Sequence, residues 1–220
     1  MKILLLGASG RTGKQIIEAA LKRGHQISAI VRNPEKLKDY KIDVTQGTPY
    51  DYETVEKAIK GCDAVINTLN VSRKSDGPWS PLAAPKDMIS HSAANAIKAM
   101  EKEGIKRIVA MSTLGAGRTW KHIPGFLKFL VSISNLRFAF RDHGQQEELL
   151  EKSDLDYTIC RAPMLNDERN ETGAVATPEG KIPASRYLSR NTAAEFYLDI
   201  IEKKQHIREA LSLANKPVSE

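Results

Sequence analysis

The stretch Lys2-Ile3-Leu4-Leu5-Leu6-Gly7-Ala8-Ser9-Gly10-Arg11-Thr12-Gly13 decides how the chain is read. Its apolar run stops abruptly at Gly7, the signature of a central parallel strand buried on both faces. Beyond the glycines, Ile16, Ile17, Ala20 and Leu21 recur at helical spacing, and Gly24 closes the helix. Gln26 to Val31 then reads as a second buried strand. Strand, tight turn, helix and strand make the first half of a dinucleotide-binding fold.

The glycines at 7, 10 and 13 give that turn a chemistry. Gly7 permits the sharp bend, Gly10 lets backbone approach a pyrophosphate, and Gly13 allows close packing of helix on strand, with the amides of the helix N-terminus facing the negative charge. A lone glycine triplet is weak evidence; one that follows a buried strand and opens a helix is strong. The end of the second strand bears on which dinucleotide. Folds that prefer NAD place an acidic residue there, whereas this chain carries Val31-Arg32-Asn33 and then Lys36. Arg11 and Arg32 flanking a 2′-phosphate, with the Ser9 and Thr12 hydroxyls as further donors, predict NADP(H) in preference to NAD(H). Solvated cations of no special role are the alternative reading of Arg32 and Lys36.

Working outward, strands near Ile42–Gln46, Asp63–Thr68, Arg107–Met111 and Tyr157–Arg161 alternate with helices over Glu53–Lys60, Lys86–Glu103 and His143–Lys152. That alternation predicts right-handed crossovers and an α/β fold: a Rossmann-type, doubly wound parallel sheet in three α/β/α layers. A hairpin over Gly173–Ile182 turning at Pro178-Glu179-Gly180, a helix over Thr192–Glu202 and a last strand at Ala210–Ala214 complete the expectation. No change in composition divides the chain, so residues 1–220 are expected to form one domain, with substrate-side insertions around 114–140 and 163–190. The apolar, Pro- and Gly-broken stretch from Trp120 to Leu130 reads as a lid or an added helix, and as core, acceptor cover or dimer face.

Composition excludes several classes. Hydrophobic residues are 41% and charged residues 27%, outside the disordered and membrane ranges. The excess of 33 Lys and Arg over 27 Asp and Glu is spread along mixed faces such as Glu147-Glu148 with Glu151-Lys152, which reads as solvated surface and speaks against nucleic acid. No apolar run approaches the ~20 residues of a membrane span or the core of a signal peptide, so neither a membrane partner nor export is expected. Cys62 and Cys160 lack metal-ligand spacing and read as buried free thiols, with no metal site and a cytoplasmic, reducing setting. A monomer or a homodimer suits such a chain.

The chain resembles the atypical short-chain dehydrogenase/reductase family of NAD(P)H-binding proteins, near the biliverdin-IXβ (flavin) reductases and NmrA-like proteins. The resemblance runs through Gly7–Gly13, Val31-Arg32-Asn33, Gly61-Cys62-Asp63-Ala64-Val65, Ser112-Thr113, Asp142-His143 and Leu155 to Pro163. It departs at Thr48, where members carry an aspartate near the adenine. It implies that Thr68, Leu69 and Asn70 touch the cofactor's ribose, that Ser112 and Thr113 face nicotinamide or substrate, and that a loop at Pro163 runs along the nicotinamide. Ser112 and His143 are the candidate catalytic groups, each with a purely structural alternative. No tyrosine has a lysine four residues on, so the Tyr-x-x-x-Lys proton donor of ordinary short-chain dehydrogenases is missing. Two functions fit: an NADPH-dependent oxidoreductase passing hydride to a flat small-molecule acceptor (flavin, quinone or tetrapyrrole-like, with FMN or FAD as substrate), or a non-catalytic NADP(H)-binding redox sensor or regulator of the NmrA-like kind.

Overall fold

The computed structural model describes residues 1–170, 172–178 and 185–217. In chain order they form β1 (Lys2–Leu6), α1 (Arg11–Lys22), β2 (Gln26–Val31), β3 (Asp43–Gln46), α2 (Tyr52–Ala58), β4 (Ala64–Asn67), α3 (Met88–Glu103), β5 (Arg107–Thr113), α4 (Gly125–Ile133), α5 (Leu136–Lys152), β6 (Asp156–Ala162), β7 (Met164–Asn166), β8 (Ala174–Pro178), β9 (Tyr187–Ser189), α6 (Arg190–Glu202) and β10 (Glu209–Asn215). The main sheet runs β3-β2-β1-β4-β5-β6-β10-β8. Every pairing in it is parallel except β8 on β10, and the strand order runs outward from β1 to β3 and then resumes on the other side of β1 at β4, the reversal of a doubly wound fold.

The register of β1 explains the three layers. Ile3 and Leu5 face a cluster shared with Ile16, Ile17 and Ala20 of α1 and Ala193, Tyr197 and Leu198 of α6. Leu4 and Leu6 face the opposite cluster, with Val55 of α2, Ala96 and Met100 of α3 and Leu150 of α5. All four β1 side chains are fully buried, which is why that strand has no polar alternation to read. One helix start is capped from a distance. Asp142 on α5 accepts from the amides of Ile89 (2.7 Å) and Ser90 (3.0 Å), while Asp87, at the capping position of α3 itself, makes no such bond. Burial pushes the Asp142 carboxyl up against the opposing pull of those amides.

Several expectations need correction. The turn and second strand of the Gly173–Ile182 hairpin lie outside the described residues, and the described part, β8, pairs antiparallel with the far strand β10. Helix α5 begins at Leu136, seven residues before His143, because Leu136, Ala139 and Phe140 continue its inward spacing. In the Trp120–Leu130 stretch, a short 3₁₀ helix (Gly117–His122) ends ahead of Pro124, and α4 follows. Glu147 is not solvated but buried. The three-residue strands β7 and β9, which pair in parallel beside the main sheet, have no counterpart in the sequence reading. Cys62 and Cys160 are buried and free as expected. Among the described residues no helix is long and apolar enough to cross a membrane, and no cluster of metal-ligating side chains occurs.

Candidate functional site

The carboxyl ends of β1, β2, β4, β5 and β6 open on one edge of the sheet, where ligands of such folds bind. At its centre the Leu6 carbonyl accepts from both the amide (2.9 Å) and the hydroxyl (3.0 Å) of Thr68, drawing the loop after β4 against the glycine turn. Gly7 sits there at φ +88°, and a Cβ on it would lie 2.8 Å from the Thr68 hydroxyl. Gly13 is tighter still: a Cβ would stand 2.3 Å from the Gly7 carbonyl oxygen and 2.7 Å from the Ala8 Cα. Both positions admit only glycine, Gly7 because of its positive φ and the Thr68 loop pressed on it, Gly13 because α1 starts so close to the end of β1.

Gly10 occupies the capping position of α1 with extended backbone and supplies no side-chain cap, and the first turn has no acidic residue. The leading amides of the helix therefore carry their partial positive charge into the groove unopposed by a neighbouring carboxylate of that turn. Thr12 is buried in this turn, Ser9 half-buried and Arg11 exposed. Arg11 crosses the groove to Asp76 (3.0 and 3.2 Å) and stands 3.9 Å from Asp167. Arg32, exposed just past β2, makes no ion pair among the described residues, and Lys36 is exposed in the 3₁₀ turn that Asn33 caps through the Glu35 amide (3.1 Å). The donor set, backbone amides flanked by two guanidinium groups, fits a dinucleotide diphosphate.

Across the groove the structure places the other candidates unevenly. Asn70 is exposed, Leu69, Thr113 and Pro163 are half-buried, and all four sit at strand ends bordering the opening. Ser112 is buried with its hydroxyl turned inward, donating to Glu147 at 2.6 Å. Glu147 in turn holds Arg161 through two bonds of 3.0 and 2.8 Å, with both side chains almost wholly buried. Alongside, Gln146 donates to the Met111 carbonyl (3.0 Å) and accepts from Asn67 (2.7 Å), while Asn67 accepts from the Leu69 amide (3.0 Å). This polar network under the floor of the site, built from Asn67, Gln146, Glu147 and Arg161, escapes a sequence reading based on apolar spacing. Its signal was the placing of polar residues at 142, 143 and 146 on the same helical face as Ala139 and Leu150.

His143 is fully buried on that face, and its Nδ1 has no partner among the described residues. Burial pushes its pKa down to about 4, so it is neutral at pH 7 and out of contact with bulk water. Tyr40, Tyr50, Tyr52 and Tyr197 are all pushed upward, by burial or by a neighbouring carboxylate, which makes each a weaker acid. The segments that follow β4, β5 and β6 instead expose apolar side chains, among them Trp79, Phe126, Phe129 and Met164.

Comparison with known proteins agrees with this geometry. A family model described as NAD(P)H-binding matches residues 7–204. The sugar epimerase YhfK of Bacillus subtilis, itself described as uncharacterized, is 28% identical over all of this chain and 98% of its own length. The photosystem II assembly factor Ycf39 of Synechocystis is 29% identical over 73% of this chain, which spans only 44% of that longer relative. Among solved structures, the Escherichia coli O157:H7 protein ChuY, described as an anaerobillin reductase, superposes with a TM-score of 0.81 at 21% identity over the whole of both chains. A Veillonella parvula short-chain dehydrogenase/reductase in complex with NADP superposes at 0.77 with 19% identity, over 97% of this chain and 94% of its own. The glycine turn, the strand order and the match over nearly the whole chain together place the protein in the NAD(P)H-binding family.

Proposed function

We propose that the chain is an NADPH-dependent reductase that passes hydride to a flat acceptor of flavin, quinone or linear tetrapyrrole type. The observation that carries this reading is the pairing of an uncapped α1 behind Gly7–Gly13 with an unpaired Arg32 where an NAD-preferring fold keeps an acid. In this reading Gly7, Ser9, Gly10, Thr12 and Gly13 hold the diphosphate, Arg11 and Arg32 the 2′-phosphate, and Thr68, Leu69, Asn70, Thr113 and Pro163 border the ribose and nicotinamide. The bound cofactor supplies the hydride and its electron pair. The protein's own part is to hold two flat rings together and keep water from between them, and solvent supplies the proton that completes reduction. Ser112, fixed by Glu147, shapes the floor of that space. The anaerobillin reductase described for one structural neighbour supports the tetrapyrrole arm.

The burial of His143 and the inward turn of Ser112 favour a second reading, a non-catalytic NADP(H)-binding sensor or regulator, since neither side chain reaches an acceptor as placed. Turnover separates the two. Purified protein should consume NADPH faster when FMN, a quinone or a linear tetrapyrrole is added; binding without turnover across that panel establishes the sensor. Arg32→Asp should weaken NADPH roughly tenfold or more, with NADH changed far less, because a carboxylate then faces the phosphate. Unchanged NADPH affinity would remove Arg32 from the site. We further infer that residues 1–220 act as one domain with acceptor-side insertions around 114–140 and 163–190, as monomer or homodimer in the cytoplasm, where the free thiols Cys62 and Cys160 stay reduced.

A further inference from the structure

Helix α4 carries an apolar face that no described residue covers. Phe126, Phe129 and Ile133 are 79%, 63% and 48% exposed and recur at the spacing that lines up side chains on one side of a helix. Val131, the buried residue of α4, lies nearly opposite them on the helix. The phenylalanine face therefore points away from the side of α4 that packs on the body. Trp79, 59% exposed, adjoins the end of α4, because Asn135 donates from its amide to the Pro78 carbonyl (2.9 Å) and from its side chain to that of Trp79 (3.2 Å).

The segment that carries this face has charge of one sign. From Leu114 to Arg141 the sequence holds five basic residues, Arg118, Lys121, Lys128, Arg137 and Arg141, and no Asp or Glu. Arg118 is paired with Glu151; the other four have no carboxylate partner among the described residues. A second copy of the chain would bring an identical basic face against this one, at a net charge of +6 each, and the two would repel. Protruding rings suit a fluid phase that closes around each one.

We propose that α4 rests on an anionic membrane surface, with Phe126, Phe129, Ile133 and Trp79 in the boundary between headgroups and acyl chains and the basic residues on lipid phosphates. A helix that lies on a bilayer needs none of the length that crossing one demands, and this attachment is independent of which acceptor the groove takes.

The test is co-sedimentation of the full chain with phosphatidylglycerol–phosphatidylcholine vesicles and with phosphatidylcholine vesicles alone, at low and high salt. Binding should appear on the anionic vesicles and weaken with salt. Phe126→Ser with Phe129→Ser should cut it roughly a hundredfold, about tenfold per ring. Lys121→Gln should cut it about fivefold. Because these side chains are exposed, the melting temperature without nucleotide should stay within a few degrees, which separates lost attachment from lost folding. Equal binding to both vesicle types overturns the assignment to an anionic surface, and no binding at low salt overturns the proposal in favour of a protein partner. A lipid-free homodimer that the double serine variant dissociates assigns the face to a second copy instead.

Discussion

The two halves of the groove are built from different materials. On the cofactor side the site is main chain: a glycine turn pressed on β4, a helix start without a side-chain cap, and two arginines at the rim. On the acceptor side it is side chains, an exposed apolar fringe above a buried polar network that joins Asn67, Ser112, Gln146, Glu147 and Arg161. Backbone sites tolerate little change in shape because a Cβ has nowhere to go. Side-chain sites tolerate reshaping but depend on every buried charge keeping its partner. Substitutions in the two halves should therefore fail differently, one in binding and the other in stability.

The largest effect should come from the buried pair. Glu147→Leu leaves the Arg161 guanidinium buried without its two carboxylate bonds, a change of the kind that costs about 3–5 kcal/mol, on the order of 10 °C in melting temperature. The nucleotide-induced thermal shift should survive in whatever folds. Adding Arg161→Met should restore most of the lost stability, since an apolar pair of similar volume avoids the stranded charge. A double variant no more stable than the single one would mean that the pair does more than satisfy itself.

Gly13→Ala tests the opposite half. Its methyl would sit 2.3 Å from the Gly7 carbonyl oxygen, so α1 must move off β1. A cost of about 1–3 kcal/mol is expected from overpacking, smaller than for Glu147→Leu, yet here the thermal shift with NADPH should vanish. If Gly13→Ala melts lower and still responds fully to NADPH, the glycine turn is not the diphosphate cradle.

How much of each half was legible follows from the same contrast. Glycine spacing fixes backbone geometry locally, and the Ile3–Leu6 run has no face left for water, so β1, the turn and α1 stand within a residue or two of their expected places. The acceptor half depends on distant pairings. Nothing near Ala174–Pro178 announces that its partner is β10, almost forty residues on, and a three-residue strand such as β7 has no period to detect. The network was hidden for a different reason: Asp142, His143, Gln146 and Glu147 look like a solvated helix face until the sheet behind them supplies partners. Arg161, expected as the last residue of the sixth strand, lies inside β6 and turns into that network.

His143 sharpens the comparison through pH. An unfolded histidine titrates near 6.5, whereas the buried one is held at about 4, so between these values the unfolded chain takes up a proton that the folded chain refuses. Stability is lost as the pH falls through this window, by about 2 kcal/mol at pH 5. His143→Leu should remove that share of the acid sensitivity, read as the difference between wild-type and variant unfolding free energies at pH 7.5 and pH 5. An identical pH dependence in both proteins would show that His143 is not held neutral by burial.

The smallest effect concerns a contact between the glycine turn and the loop after β4. Arg11 reaches Asp76, with both side chains largely exposed, so the pair contributes at most about 1 kcal/mol. A diphosphate or 2′-phosphate arriving beside Arg11 competes with that carboxylate for the same guanidinium. Asp76→Asn should therefore tighten NADPH by no more than about fivefold, more at low salt than at high, with no change in the melting temperature of the nucleotide-free protein. If affinity falls instead, the carboxylate is holding Arg11 in a position that binding uses, and Asp76 belongs to the cofactor half of the site rather than to its competitors.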